Sequence, residues 1–158
     1  MKLSKRLLAL SVFGACVLGP MSGSAFAAPL KPEEQIKFRK AGYGFMAWNM
    51  RKIKGNLEGA YNNEEVAKAA AAVAAVSNSG LGALFGPGSD QDIGDVKTRV
   101  KPEFFQQADK VRELAQAFNK EANELAKVAA TGDLVSVKAQ FGRTSDACQA
   151  CHDRFRKE

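Results

Sequence analysis

The sequence is short of three features that identify common classes of protein. No segment sustains an alternating apolar and polar pattern, so β-strands are not expected. The formal net charge is +6, but no stretch concentrates the basic residues, and nucleic-acid binding therefore has little electrostatic support. Histidine occurs once, at His152, and cysteine three times. Few side chains are therefore available to hold a metal ion or a prosthetic group.

The first 27 residues have the layout of a secretory signal peptide. Three basic residues precede an apolar run at residues 7–18, and residues 25–27 read Ala-Phe-Ala, a typical cleavage signal. The apolar run is too short to span a membrane. We expect cleavage after Ala27 and export to the periplasm. Because the leader has three basic residues and no acidic ones, the net charge of residues 28–158 would fall from +6 to +3.

Cys16 allows a second interpretation of the leader, as the site of a lipid anchor. Residues 13–16 read Phe-Gly-Ala-Cys and loosely resemble a lipoprotein cleavage box, but Phe fits its first position poorly. The later Ala-Phe-Ala site fits better, and cleavage there removes Cys16. The exported chain would then contain a single pair of cysteines, Cys148 and Cys151.

The spacing of apolar residues predicts four helices, at about residues 32–56, 63–78, 102–130 and 134–155. Short links join the first helix to the second and the third to the fourth. About 22 residues with five glycines and one proline separate the second helix from the third. We therefore expect one all-α domain at residues 28–158, an antiparallel four-helix bundle with one long crossover loop.

Two of these helices have clear inward-facing stripes. The stripe of the third helix repeats at alternating steps of four and three: Phe104, Ala108, Val111, Ala115, Phe118, Ala122, Leu125 and Ala129. The stripe of the first contains Ile36, Arg39, Tyr43, Met46 or Ala47, Met50, Ile53 and Leu57. An unpaired arginine on such a stripe is costly to bury, so Arg39 needs a partner.

The residues that decide the chemistry are Cys148, Cys151 and His152, in the pattern Cys-x-x-Cys-His. A thioredoxin-like redox site needs a strand before the first cysteine, and none is predicted. A structural zinc ion needs about four ligands, more than the exported chain offers. A disulfide across two residues would be strained and would constrain the unfolded chain little.

Covalently attached haem uses all three residues. Cys148 and Cys151 lie nearly one helical turn apart, so their thiols can bond the two vinyl groups of one porphyrin. His152 follows directly and can give the iron an axial nitrogen. Export also agrees with this interpretation. The sequence therefore predicts a c-type haem protein with one covalently attached haem c.

The chain resembles the cytochromes c′, a family of four-helix haem proteins. The resemblance covers residues 28–158 and depends on four segments, "FRKAGYGFMAWNM", "ALFGPG", "KPEFF" and "FGRTSDACQACHDRFRK". It implies a five-coordinate, high-spin haem iron with an apolar distal side. It also implies binding of nitric oxide and carbon monoxide, and a homodimer formed through the first two helices.

The resemblance also assigns expected roles to residues around the haem. It places Arg39 at a haem propionate and Tyr43 in the distal pocket, with Lys40 as a weaker contact where the family often has Gln. The crossover loop of the family approaches a propionate near the positions of Thr98 and Arg99. Arg156 matches an arginine on the proximal side, and it shares a helix face with His152 four residues before it.

Three functions remain open from the sequence. The first is a gas-binding protein with Met46 as an ordinary side chain of the distal pocket or core. The second is an electron carrier that passes electrons to a redox partner protein, with Met46 or Met50 as the sixth iron ligand. The third, a haem enzyme, is disfavoured because a peroxidase needs a distal acid–base pair and no second histidine exists.

Phe38 and Phe45 lie beside the core stripe of the first helix, seven residues apart. They could widen the core or form the contact between two subunits. We expect them at the dimer interface.

Overall fold

The computed structural model describes residues 29–158. The expected signal peptide, its cleavage site after Ala27 and Cys16 lie outside the described residues. The described part contains five α-helices: α1 Pro32–Glu58, α2 Asn63–Ser77, α3 Glu103–Gln106, α4 Ala108–Ala129 and α5 Leu134–Phe155. In this range no strand forms, and the only extended pairing is two isolated bridges. The predicted all-α, four-helix bundle with one long crossover is confirmed.

The four long helices pack in the order α1, α2, α4, α5 around the bundle, and α1 touches α5 much less than the other pairs touch each other. One end of the bundle holds the main apolar core, formed by Ile53, Val66, Ala69, Ala70, Leu125, Ala129 and Val137. The small residues of α2 let its neighbours approach closely. None of the helices between residues 29 and 158 has an apolar segment long enough to cross a membrane.

Local signals fix several helix ends. The Asn62 side chain accepts a hydrogen bond from the Glu65 backbone N–H at 3.0 Å and caps α2. Gly132 has φ = +78°, a conformation that glycine adopts without steric cost, and ends the turn after α4. Asp133 then accepts from the Val135 N–H at 3.2 Å and caps α5. The predicted change of helix at residues 131–133 is confirmed.

The predicted third helix is wrong in one respect, because it is interrupted. Gln107 has φ = −116° and ψ = 52°, which ends the four-residue α3 and precedes α4. The interruption lets the Phe104 ring stack on Phe85, with centroids 4.4 Å apart, and pack edge-on against Phe155 at 5.6 Å. The side-chain oxygen of Gln107 accepts from Arg154 Nε and Nη2 at 3.0 and 2.6 Å. These contacts favour the break over a straight helix.

The inward stripe of α4 is buried only in its C-terminal half. Ala122, Leu125 and Ala129 are fully buried, whereas Val111 and Phe118 are only half-buried. The first half of α4 therefore contributes apolar side chains that the other helices do not cover. This half lies at the end of the bundle away from the main core, toward the last turns of α5.

The crossover loop is a folded segment that contacts α1 and the C-terminus. It includes a 3-10 helix at Leu81–Leu84 and a tight turn joined by the Ile93–Val96 bridge. Its last residues run beside the chain end, where the Lys101 N–H donates to the Phe155 carbonyl at 2.8 Å. The Lys157 N–H donates to the Arg99 carbonyl at 2.7 Å.

Candidate haem-binding site

Cys148 and Cys151 lie in the penultimate and last turns of α5 as half-buried, unpaired thiols. Burial raises the pKa of Cys148 to about 11, and it also raises the pKa of Cys151. Thiols with raised pKa values lack the thiolate character that a redox-active pair needs. Within residues 29–158 no group of three or more Cys, His, Asp or Glu side chains is placed to hold a metal ion. Both findings argue against the redox and zinc alternatives.

His152 is half-buried on the same helix, and its Nδ1 atom lies 3.4 Å from Arg156 Nη1. Burial is the main cause that lowers the pKa of His152, and the positive charges of Arg156 and Arg99 lower it further. A neutral imidazole is the form that binds a metal. The structure thus brings Arg156 to His152, as the shared helix face predicts.

Tyr43 on α1 is placed beside the two cysteines of α5. The pKa of Tyr43 is raised to about 12, mainly by burial and then by the nearby Cys151 and Cys148 thiols. The residue still exposes 42% of its surface, so it does not belong to the closed core. Its ring meets Phe85 of the crossover loop edge-on, with centroids 6.4 Å apart. A position near the Cys-x-x-Cys-His segment is compatible with the expected place of Tyr43 in a distal haem pocket.

Arg39, one helical turn before Tyr43, is 3% exposed. Its Nη1 atom donates to the Leu84 carbonyl at 3.0 Å and to Ser89 Oγ at 2.7 Å. Its Nη2 atom donates to the Ser89 carbonyl and, at 2.6 Å, to Thr98 Oγ1. All four acceptors are neutral, and burial lowers the pKa of the guanidinium. Arg39 makes no salt bridge with any carboxylate of residues 29–158.

Of the other three residues expected near a propionate, one is buried beside Arg39 and two are exposed. Thr98 is buried and binds Arg39, as described above. Lys40 is exposed, and its Nζ atom donates to the Lys97 carbonyl at 3.2 Å. Arg99 is also exposed, and its Nε atom donates to the Lys157 carbonyl at 3.0 Å. The structure therefore joins Thr98 to Arg39 and places Lys40 and Arg99 at the surface of the crossover.

Met46 is 5% exposed and packs with Val73 and Ala122 between α1, α2 and α4. Met50 is partly buried and packs against the same group and against the main core. Both methionines thus occupy ordinary core positions, an arrangement that suits flexible thioether side chains.

Sequence reasoning missed two residues of this region. Phe85 lies between the Arg39 guanidinium, 4.8 Å from its ring centroid, and the stacked Phe104 ring. Ser89 is fully buried and holds Arg39 through two acceptors. The segment "ALFGPG" marked the loop, but no sequence signal pairs a loop serine with an arginine 50 positions earlier.

These side chains fit the demands of a covalently bound haem. The thiols of Cys148 and Cys151 are unpaired and near each other, and His152 follows with a neutral ring nitrogen. Arg39 is a buried cation with a nearby carboxylate at Asp90 but no salt bridge to any carboxylate of residues 29–158, so a carboxylate of the cofactor could bind it directly. Apolar side chains of α4 line the uncovered half of the bundle.

The cytochrome c′ family model matches residues 34–156, a range that includes all of these residues. The chain belongs to the cytochrome c′ family. Cytochromes c′ are haem proteins with a c-type haem, and the fold and donor residues described above agree with that cofactor. The chain is 55% identical to the cytochrome c′ of Allochromatium vinosum over 152 residues, which cover 96% of this chain and 98% of that protein.

Solved cytochromes c′ have the same fold. One is described as having an unusual ligand-controlled dimer dissociation. It is 56% identical, covers 83% of this chain and all of its own, and superposes with a TM-score of 0.82. A nitric oxide complex of a mutant cytochrome c′ from Alcaligenes xylosoxidans is 27% identical, covers 81% of this chain and 98% of its own, and gives a TM-score of 0.72.

Proposed function

We propose that the protein is a periplasmic gas-binding cytochrome, exported by cleavage after Ala27, with one covalently bound haem c. Cys148 and Cys151 would hold the haem by adding one thiol each across a vinyl double bond, and His152 would bind the iron. The bound haem would supply an iron that accepts nitric oxide or carbon monoxide. The observation that supports this proposal is that Tyr43 of α1 lies close enough to Cys148 and Cys151 for their charge to affect its pKa, whereas Met46 is buried among Val73 and Ala122.

The core positions of the methionines support an open sixth position. Met46 packs against Val73 and Ala122, so ligation by its sulfur would require the side chain to leave a buried apolar site. Withdrawing a buried methionine from its neighbours creates a cavity and costs stability. Burial raises the pKa of Tyr43 to about 12, which disfavours the phenolate form that would ligate iron.

Arg39 is proposed as the partner of a haem propionate. The guanidinium is buried and bonded only to neutral acceptors, so its charge has no direct anionic partner in residues 29–158. A propionate would supply that partner through a charge-assisted hydrogen bond. Thr98 assists by holding Nη2, while Lys40 and Arg99 would act from the exposed side of the loop.

A homodimer through α1 and α2 is also proposed. Phe38 and Phe45 expose 56% and 48% of their surfaces on α1, and Trp48 packs against Phe45 with ring centroids 5.6 Å apart. Exposed aromatic clusters of this kind favour a protein contact. One solved relative is described as having a ligand-controlled dimer dissociation, which supports a dimer here.

An optical spectrum of the purified ferrous protein tests the proposal. We expect a high-spin spectrum that shifts on addition of carbon monoxide, because the iron has one protein ligand. Met46→Leu and Met50→Leu should leave both spectra unchanged, since neither sulfur is a ligand. A low-spin spectrum that does not respond to carbon monoxide would instead support the electron carrier with a methionine ligand. Catalysis is not proposed.

A further inference from the structure

Phe85 of the crossover loop contacts two residues of α1, Arg39 and Tyr43. The Arg39 guanidinium lies over one face of the Phe85 ring at 4.8 Å, and Phe104 stacks on that ring at 4.4 Å. The ring of Phe85 meets Tyr43 edge to face, with centroids 6.4 Å apart and planes at 70°. Phe85 is thus held by two neighbours, Arg39 and Phe104, and contacts a third residue, Tyr43, which the family resemblance places in the distal pocket.

The loop around Phe85 is fixed by side chains of α1. Arg39 binds the loop at Leu84, Ser89 and Thr98 through four hydrogen bonds. Gln35 accepts from the Gly86 N–H at 2.7 Å, directly after Phe85. A Cβ atom at Gly86 would lie 2.8 Å from Gln35 Oε1, so glycine permits this close approach. Phe85 therefore lies between anchored residues and cannot move independently of α1.

We infer that Phe85, positioned by Arg39, restricts the Tyr43 ring and so sets the rate at which a diatomic ligand reaches the iron. The inference rests on the proposed function, because a phenol ring in the distal pocket must swing aside before a diatomic ligand can reach the iron. An edge-to-face contact stabilises the closed ring position, and the anchored loop prevents Phe85 from yielding. Arg39 then has two effects, one on the cofactor and one on ligand entry.

Carbon monoxide association rates, measured by flash photolysis on the holoprotein, test this role. Phe85→Ala should raise the rate about three- to tenfold, since it removes the ring that supports Tyr43. Combined with Tyr43→Ala, it should change the rate less than about twofold, because no ring remains to be held. Phe85→Tyr keeps the ring and should retain the slow rate.

Phe105→Ala is the matched control. Phe105 packs on Phe104 at 5.4 Å and has no ring contact with Tyr43 among residues 29–158, so its removal should leave the rate within about twofold of the parent. If Phe85→Ala fails to fold, Phe85→Leu replaces it in the rate measurement, because leucine keeps most of the side-chain volume but has no aromatic edge to contact Tyr43. Haem content and circular dichroism establish that each variant is folded.

Hydrogen–deuterium exchange gives a readout that does not depend on ligand binding. Arg39→Lys removes the forked set of donors, so amides of residues 84–98 should exchange faster while those of α4 and α5 do not change. Unchanged exchange in the loop would overturn the positioning role of Arg39.

The kinetic outcomes separate the inference from the proposed function. If Tyr43→Ala accelerates binding and Phe85→Ala does not, the inference is wrong and the role of Tyr43 stands. The inference is also wrong if Phe85→Ala has equal effects with and without the Tyr43 ring. If Tyr43→Ala leaves the rate unchanged, both the proposed role of Tyr43 and the inference fail.

Discussion

Arg39 shows how one side chain can organise a loop that is distant in sequence. Its four hydrogen bonds reach residues 45 to 59 positions later, and all end on neutral oxygen atoms. Burying a guanidinium without a direct salt bridge is unfavourable, and the charge of the nearby Asp90 offsets only part of that cost in the apoprotein. Binding of an anionic cofactor group would offset that cost, and the loop would tighten as the haem is bound.

Tyr43 is the residue whose bulk should control ligand entry. Replacing it with Ala should raise the carbon monoxide association rate at least about tenfold, which corresponds to about 1.4 kcal/mol of barrier. The reason is that the ring must otherwise be displaced before a diatomic molecule can bind. Flash photolysis measures the rate directly.

Tyr43→Phe is the control for the hydroxyl group. It retains the ring and should keep the slow rate of the parent if bulk is the obstacle. A fast rate in the Phe variant would assign the effect to the hydroxyl, and equal rates in parent and Ala variant would remove Tyr43 from the entry path.

At the scale of helices, the sequence predicted most of the structure because the helix signals are local. The first and second helices end within two residues of their predicted positions, and the caps at Asn62 and Asp133 use side chains next in sequence. The break at Gln107 was not predicted. It depends on stacking between Phe104 and Phe85, which only the folded chain brings together.

The same distinction applies to the site. Cys148, Cys151 and His152 are recognised from spacing alone, since one helix presents all three. The spacing of Tyr43 places it on the inward stripe of α1. Neighbouring helices bury that stripe at Met46 and Ile53, whereas Tyr43 still exposes 42% of its surface. The role of Ser89 requires a contact between the loop and α1, for which the sequence has no periodic signal.

The apolar side chains in the first half of α4, which the other helices leave partly uncovered, predict that the fold depends on bound haem. Cys148→Ala combined with Cys151→Ala should leave the haem extractable into acidified organic solvent, because no thioether remains. The haem-free variant should lose much of its helical circular dichroism, since the half-buried side chains at this end of α4, such as Val111, would then face a cavity. Single Cys→Ala variants, with one thioether each, are the controls. A haem-free double variant with native helix content would contradict the haem assignment.

At the scale of the whole molecule, the aromatic face of α1 predicts the oligomeric state. Phe38→Lys with Phe45→Lys should give a monomer with an intact haem spectrum, because two lysines cannot be buried in an apolar interface. Val135→Lys is the control, since Val135 is 77% exposed on α5, away from this face. Sizing chromatography and absorbance together measure the result. Loss of the fold would place Phe38 and Phe45 in the core.

The aromatic face of α1 should also couple dimerisation to ligand binding. Tyr43 lies on α1 between Phe38 and Phe45 in sequence, so a displaced Tyr43 ring would disturb the helix that forms the proposed contact. Ligand binding would then weaken the dimer, and by linkage dimerisation would weaken ligand binding. The ligand-controlled dissociation of a relative accords with this expectation.

The hairpin at residues 93–96 is a part of the crossover that makes no hydrogen bond to any helix of the described chain. Asp92 accepts from the Thr98 N–H at 2.9 Å and closes its base, and Gly94 lies at its exposed tip with φ = +55°. Extra residues placed between Gly94 and Asp95 would therefore extend into solvent without altering the segment that Arg39 holds. The protein should accept a peptide tag or a small inserted domain there without loss of the contacts that Arg39 makes with the loop.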